Sequence, residues 1–167
     1  MHIRTALPGD ADAIFAVHSA AFGAEDEARL VGMLEADGDM LVSLVAELDE
    51  TIIGHIAFSW MHVIADTAHW RCAGLAPLGV LPGHQRNRVG SKLVEHGLNI
   101  LRAEAYAACF VLGDVDYYAR FGFDPARAAP FVSSFSGVHF MALYLDTGLA
   151  IPQSGSADYA PAFGRLE

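Results

Sequence analysis

Hydrophobic and polar residues recur along the chain with two different periods, and the order of these periods predicts the fold. Segments typical of strands occupy residues 3–6, 40–48, 51–63, 70–81, 106–113 and 138–145. The three long segments from 40 to 81 are joined by short turns, so they should pair antiparallel. The segments at 70–81 and 106–113 flank a helical segment and should form a right-handed crossover with parallel strands. The pattern therefore predicts an α/β (α+β) fold with a mixed sheet.

Four segments have the 3.6-residue apolar spacing of helices. The first follows Pro8-Gly9-Asp10, with Asp10 as candidate N-cap, and its expected apolar side is Ile14, Phe15, Val17 and Phe22. The second covers residues 25–36 and ends at Gly38, with Leu30, Val31 and Leu34 pointing inward. The third helix follows Pro82 and has two different sides. Its expected apolar side is Val89, Leu93, Val94, Leu98, Ile100, Leu101 and Ala105, and its expected polar side is Lys92, Glu95, Asn99 and Arg102. A short fourth helix at 115–121 should be closed by Gly122.

Length and composition fit one domain, residues 1–146, followed by a Pro-, Gly- and Ser-rich tail at 147–167 that packs on the same domain or on a partner. Hydrophobic residues make up 53% of the 167 residues, enough for a sizeable core. There is no uninterrupted apolar run of about 18 residues and no secretory pattern at the start, so a cytoplasmic location is expected. Cys72 and Cys109 lie in apolar segments and are expected to be buried free thiols.

One segment of this acidic protein carries a cluster of positive charges. The formal net charge of −10 argues against nonspecific binding of nucleic acid or anionic membranes. Yet Arg86, Arg88 and Lys92, the last being the only lysine, cluster where the third helix begins. Helix starts expose unpaired N–H groups with partial positive charge, and Gly90 would let ligand oxygens approach the backbone. Either this loop binds a phosphate group or it is an ordinary solvated loop.

Two phosphate-binding motifs are excluded by spacing. The P-loop needs G-x-x-x-x-G-K-[ST], and the segment Arg88-Val89-Gly90-Ser91-Lys92 lacks both the first glycine and the ordering. The dinucleotide fingerprint G-x-G-x-x-G needs three glycines, and the loop offers one after residue 83.

The stretch "LGVLPGHQRNRVGSKLV" (78–94) resembles the acyl-CoA pyrophosphate loop of the GNAT acetyltransferase superfamily, [Q/R]-x-x-G-x-[G/A]. Gln85, Val89 and Gly90 match in place, while Arg88 replaces the first glycine. A second match, "VLGDVDYYARFGFDPA" (111–126), is similar to the Tyr-x-x-x-Gly-Phe motif, with Tyr118 as its tyrosine. "GHIAFS" (54–59) resembles a branch of bacterial predicted N-acetyltransferases, and the resemblance extends over residues 1 to about 146.

The resemblance implies a mixed, mostly antiparallel central sheet flanked by helices, with acyl-CoA bound by the fourth strand, third helix and fifth strand. It implies an acetyl-CoA-dependent N-acetyltransferase without a metal, acting by direct attack of a small-molecule or peptide amine. The pantetheine arm would pair with the fourth strand, the Val80 N–H would face the thioester carbonyl, and Tyr118 would protonate the thiolate. The implied cofactor contacts are Leu78, Val80, Gln85, Arg86, Asn87, Arg88, Val89, Gly90, Ser91 and Tyr118.

No general base stands out. Residues 72–76, where many relatives carry one, contain nothing basic, and the remaining candidates are Glu47, His55, His62, Asp66 and His69, or a water chain. His62 and His69 could face each other across a turn, but the eight histidines include no i,i+4 pair, so no metal site is expected. Two alternatives stay open: a noncatalytic acyl-CoA-binding or sensor module, and a structural or partner-binding domain. The apolar tail could also cover the edge of a second copy in a homodimer.

Overall fold

The computed structural model describes residues 1–166, and all structural statements below refer to them. The strands are β1 (His2–Thr5), β2 (Met40–Leu48), β3 (Thr51–Ala65), β4 (Ala68–Val80), β5 (Ala108–Leu112), β6 (Phe131–Val132), β7 (Phe140–Tyr144) and β8 (Gly155–Tyr159). The helices are α1 (Ala11–Phe22), α2 (Asp26–Asp37), α3 (Val89–Ala103), α4 (Val115–Ala119) and α5 (Pro125–Ala128). The strand order is β1-β2-β3-β4-β5-β7, which confirms the predicted mixed sheet.

The chain forms two compact units, and β3, β4 and α3 each run through both. The first unit comprises residues 1–59, 76–97 and 161–166. Here β1 pairs antiparallel with β2, and β2 with β3. Helices α1 and α2 contribute Ile14 and Val31 to an apolar cluster with Val45 of β2, as their helical spacing predicts. This unit contains the whole loop between β4 and α3.

The second unit comprises residues 60–75 and 98–160. Here β4 and β5 are parallel, as predicted for the strand–helix–strand crossover, and β5 pairs antiparallel with β7. Three buried phenylalanines, Phe110, Phe131 and Phe140, form the centre of its core, with ring centroids 5.2 and 5.5 Å apart. Offset and edge-on ring packing of this kind adds to the burial of apolar area.

Asp10 is the N-cap residue of α1 as predicted, but its side chain makes no capping hydrogen bond. Its carboxylate instead accepts the Leu7 N–H at 2.7 Å and binds Arg4 at 2.7 and 3.1 Å. This bidentate contact offers more than a single cap bond, and it lowers the pKa of the Asp10 carboxyl. The apolar side predicted for α1 is wrong at two positions, because Phe15 and Phe22 are 38% and 45% exposed.

The inward face of α1 instead carries His18, because positions 14, 17 and 18 lie on one side of a helix. The other helices form as predicted, except that α3 ends at Ala103. Ala105, expected on the apolar side of α3, lies outside the helix, is exposed and has a φ of 61°. Gly38 ends α2 in the left-handed conformation (φ 75°), with its N–H bonded to Leu34 and Glu35 carbonyls. Gly122 likewise has a φ of 99° after α4. Both conformations favour glycine.

The segment predicted as a tail carries a strand that the sequence did not reveal. β8 pairs antiparallel with residues Met61 to Ala65 of β3 and parallel with β6. The segment Pro161–Arg165 returns to the first unit, where Arg165 forms an ion pair with Asp37 of α2 at 2.5 Å. Cys72 and Cys109 are buried free thiols as predicted, and burial raises the pKa of Cys72 to about 12.

Candidate functional site

The loop between β4 and α3 holds its backbone in an unusual shape. A 3-10 turn at Pro82–His84 follows β4, and Gln85 is extended. Arg86 and Arg88 then have positive φ values of 65° and 64°. Residue 88 is therefore left-handed, which explains why a glycine suits this position of the motif. A left-handed residue followed by a right-handed one turns successive N–H groups toward a common point, as in anion-binding nests.

The start of α3 leaves backbone donors for a ligand. The Lys92 N–H bonds to the Arg88 carbonyl at 3.0 Å and is the first donor of the helix with an i−4 acceptor. The N–H groups of Val89 and Gly90 precede it and point out of the helix start, where the helix dipole is positive. Val89 is buried and anchors this turn. Its Cγ1 lies 3.0 Å from where a Cβ on Gly54 of β3 would be, so Gly54 permits the close approach.

The three cations of the loop are exposed and have no carboxylate partner among residues 1–166. Arg86, Arg88 and Lys92 are all exposed, and within residues 1–166 none forms an ion pair with a carboxylate. Elsewhere cations do find partners, as Arg4 does with Asp10 and Glu47. Unpaired positive charge at a helix start is the arrangement that binds phosphate groups.

The end of β4 presents a free edge beside this loop. Pairing between β4 and β5 covers Cys72 to Leu75 only, among the described residues. The Leu81 N–H donates to the Ile53 carbonyl of β3 at 2.8 Å, and neighbouring strand residues direct their backbone groups to opposite sides. Val80 and Leu78 therefore direct theirs away from β3. The Gln85 side-chain amide donates to the Val80 carbonyl at 3.0 Å and links the loop to this edge.

Tyr118 lies in the second unit, on α4. The Asp114 carboxylate caps α4 by accepting the Tyr117 N–H at 2.7 Å. Tyr118 is half-buried, its ring packs edge-on against Phe123 (centroids 5.8 Å apart), and a Cβ on Gly113 would lie 2.7 Å from Tyr118 Cε2. Burial, reinforced by Tyr117 and Cys109, raises the pKa of the Tyr118 phenol well above its usual value. The phenol therefore keeps its proton at neutral pH.

All five base candidates have partners within the protein. Glu47 binds Arg4 at 2.8 Å, and the Asp66 carboxylate accepts the N–H groups of Gln153 and Ser154 at 3.0 and 3.3 Å. The His62 and His69 rings face each other as predicted, with centroids 5.2 Å apart.

The fifth candidate, His55, is fully buried in the first unit and contacts two side chains. Its Nδ1 lies 2.7 Å from His18 Nε2, and its Nε2 lies 2.8 Å from Ser43 Oγ. His18 was missed at the sequence level. The signal was a titratable residue four positions after Ile14 on the apolar face of α1.

Within residues 1–166, no group of three or more His, Cys, Asp or Glu side chains could hold a metal ion. Over the same residues, every helix is too short or too polar to cross a membrane.

Comparisons with known proteins show the family of this chain. The family model described as "Acetyltransferase (GNAT) domain" matches residues 2–126. The uncharacterized N-acetyltransferase YhbS of Escherichia coli K12 is 39% identical over 127 residues, 75% of each chain. The chain therefore belongs to the GNAT acetyltransferase family, as its sequence motifs predict.

Two solved structures extend the likeness to nearly the whole chain. The crystal structure of the GNAT family N-acetyltransferase YhbS from Escherichia coli in complex with CoA has a TM-score of 0.88 and 33% identity, covering 99% of this chain and 93% of that one. A GNAT family acetyltransferase from Brucella melitensis in complex with acetyl-CoA has a TM-score of 0.79 and 36% identity, covering 97% of each chain. The predicted fold class is confirmed.

Proposed function

We propose that this GNAT acetyltransferase binds acetyl-CoA at the loop of residues 85–91 and transfers the acetyl group to an amine. The observation that carries the proposal is the set of three exposed, unpaired cations at a helix start whose backbone donors face outward. The CoA and acetyl-CoA complexes of the two similar structures support it. In this proposal Arg86, Arg88 and Lys92 neutralise the diphosphate, while the amides of Val89 and Gly90 donate to its oxygens. The remaining proposed contacts of the loop with the cofactor are Gln85, Asn87 and Ser91.

The pantetheine arm pairs with the open edge of β4. Leu78 and Val80 turn their backbone groups away from β3, so an extended amide-containing chain can add to the strand as another strand would. The Gln85 contact to the Val80 carbonyl holds the loop against this edge at 3.0 Å. The arm and the diphosphate are then bound by adjacent segments of one unit.

The chemistry is direct attack of a neutral amine on the thioester carbonyl carbon. The Val80 N–H stabilises the oxyanion; removal of one such donor in a serine protease raises the barrier by roughly 3–4 kcal/mol. Carbon–sulfur cleavage then releases a thiolate. Tyr118, protonated because burial raises its pKa, donates a hydrogen bond or proton to that thiolate.

Two measurements test the proposal. Titration calorimetry with CoA and acetyl-CoA is expected to show binding to one site, and thiol release from acetyl-CoA is expected with at least one member of a panel of amines. Binding without thiol release from any amine would identify a noncatalytic acyl-CoA sensor. Absence of heat with both compounds would leave a structural or partner-binding domain.

A further inference from the structure

A chain of three buried polar side chains crosses the interior of the first unit. Ser43 of β2 is 9% exposed, and His55 of β3 and His18 of α1 are fully buried. Ser43 Oγ lies 2.8 Å from His55 Nε2, and His55 Nδ1 lies 2.7 Å from His18 Nε2. The two imidazole planes are perpendicular, with ring centroids 5.0 Å apart. The three side chains therefore form one hydrogen-bonded row.

The row ends in an unpartnered nitrogen directed at β4. His18 Nδ1 has no hydrogen-bond partner among the described residues. A Cβ built on Gly79 would lie 2.6 Å from this atom, closer than any side chain could approach. Gly79 stands between Leu78 and Val80, the two residues proposed to hold the thioester. The nitrogen thus faces the strand segment at which the acetyl group would be bound.

Packing alone does not account for this arrangement. A buried polar atom without a partner costs about 1–3 kcal/mol, and an apolar ring of similar size at position 18 would avoid that cost. Gly79 would also be unnecessary if the ring of residue 18 did not approach the strand so closely. Both features are explained if the free nitrogen binds a polar atom of a ligand.

Proton positions decide what the nitrogen can do. Burial lowers the pKa of His18 to about 4 and that of His55, with a further contribution from His18, to about 3. Both rings are then neutral at pH 7, with one N–H each. If His18 Nε2–H donates to His55 and His55 Nε2–H donates to Ser43, a lone pair remains on His18 Nδ1. The reverse arrangement leaves a buried N–H without an acceptor, which is the rarer situation in proteins.

We propose that His18 Nδ1 accepts the proton that the attacking amine loses during acetyl transfer, with His55 and Ser43 as positioning residues that fix its tautomer. This inference rests on the proposed function. The amine nitrogen bonds to the carbonyl carbon and its surplus proton moves to Nδ1. The carbon–sulfur bond then breaks and the sulfur takes a proton from Tyr118. After the products leave, solvent in the vacated acceptor position takes the proton from His18 Nδ1 and returns one to Tyr118. The net transfer is one proton from nitrogen to sulfur.

The same geometry indicates the class of acceptor. His18 and His55 are fully buried, and no salt bridge among residues 1–166 reaches either ring. A ring in this environment is too weak a base to deprotonate an alkylammonium ion in solution. It suffices for an N–H that becomes acidic as the carbon–nitrogen bond forms. The site therefore fits an amine that arrives neutral at pH 7, such as an aryl amine or a hydrazide.

The discriminating variant is His18→Gln, because a glutamine amide can replace the Nε2 contact to His55 but places nothing at Nδ1. We expect turnover to fall at least about 10²-fold, with CoA affinity by calorimetry and thermal stability close to wild type. The matched control is His96→Gln, which changes an exposed histidine of α3 in the same unit and should alter nothing. Aniline, benzoylhydrazine and benzylamine serve as acceptors. Wild-type turnover in His18→Gln, or a preference for benzylamine at pH 7, would contradict the inference.

A second measurement needs no acceptor. Spectra of ¹⁵N-histidine-labelled protein, assigned by the loss of one signal pair in His18→Gln, report which ring nitrogen carries the proton. We expect His18 Nδ1 to be unprotonated with and without acetyl-CoA; a protonated Nδ1 would overturn the inference whatever the acceptor.

Ser43→Ala should change the His55 tautomer and lower turnover at unchanged CoA affinity, and Ser43→Thr should restore both. Unchanged tautomer and turnover in Ser43→Ala would remove Ser43 from the positioning role. If CoA does not bind the wild type, the proposed function fails; if CoA binds and His18→Gln stays fully active, only this inference fails.

Discussion

The imidazoles of His18 and His55 meet edge-on in the interior, with Nε2 of one 2.7 Å from Nδ1 of the other and ring centroids 5.0 Å apart. No sequence pattern links them, since they lie 37 positions apart on a helix and a strand. Both rings are neutral at pH 7, because burial with little solvation disfavours the charged form of each and lowers both pKa values.

This pair predicts a pH dependence of stability. The folded-state pKa values of His18 and His55, about 4 and 3, lie below the usual 6.5. The unfolded chain therefore binds more protons than the folded chain as the pH falls below 6.5, so the free energy of unfolding decreases between that pH and about 4. The free energy of unfolding, measured with denaturant at several pH values in this range, should depend less steeply on pH in His55→Gln than in wild type. An equal pH dependence would mean that the imidazoles are already charged in the folded protein.

Two substitutions of Arg88 should separate the effect of backbone conformation on stability from the effect of charge on CoA binding. Arg88→Gly and Arg88→Ala remove the same charge, but only glycine adopts a φ of 64° without strain. We expect Arg88→Gly to be more stable than Arg88→Ala by about 1 kcal/mol, while both weaken CoA binding to a similar extent in low salt. Thermal unfolding and calorimetry measure the two effects. Equal stability of the two variants would contradict a strained loop.

Gly90 predicts the location of the diphosphate. Gly90→Glu places bulk and negative charge at the start of α3 and should abolish CoA binding in calorimetry. Gly83→Glu is the matched control, because a Cβ on Gly83 has open space around it and the change in charge is the same. Comparable loss in both variants would show that net charge, rather than the site at residue 90, determines affinity.

Tyr118 predicts a change in turnover without a change in binding. Tyr118→Phe removes only the phenol oxygen and leaves the packing against Phe123 and Gly113 intact. We expect kcat to fall about 10²-fold or more, with CoA affinity nearly unchanged. Tyr117→Phe, which alters the neighbouring ring that Arg120 covers at 4.5 Å, should keep kcat near wild type. A fully active Tyr118→Phe would exclude the phenol from the reaction.

Two helical glycines predict stability changes of opposite sign. Within the first unit, a Cβ on Gly97 of α3 would lie 2.2 Å from Phe58 Cε2. Because this distance is too short for two carbon atoms, Gly97→Ala should lower the free energy of unfolding by about 1–3 kcal/mol. Gly32 of α2 has no atom within 4 Å of such a Cβ, so Gly32→Ala should stabilise by about 0.5–1 kcal/mol. Urea unfolding measures both. A neutral Gly97→Ala would mean that Phe58 can move aside.

Local patterns identified most elements of the fold and the loop, and they failed where partners were distant in sequence. The helical spacing of α3 and the boundaries of β2 were predictable because they depend on neighbouring residues. The strand β8 was not predictable, because a five-residue segment at 155–159 has a weak pattern of its own and is held by pairing with Met61 to Ala65.

The sequence by itself determined the order of helices and strands, the family, and the cationic loop at residues 85–92, since each is written in contiguous residues. The tertiary structure alone decided the left-handed shape at Arg88 and the row of Ser43, His55 and His18 that ends against Gly79. A buried hydrogen bond depends on distances between side chains from separate elements, and those distances exist only after the chain has folded.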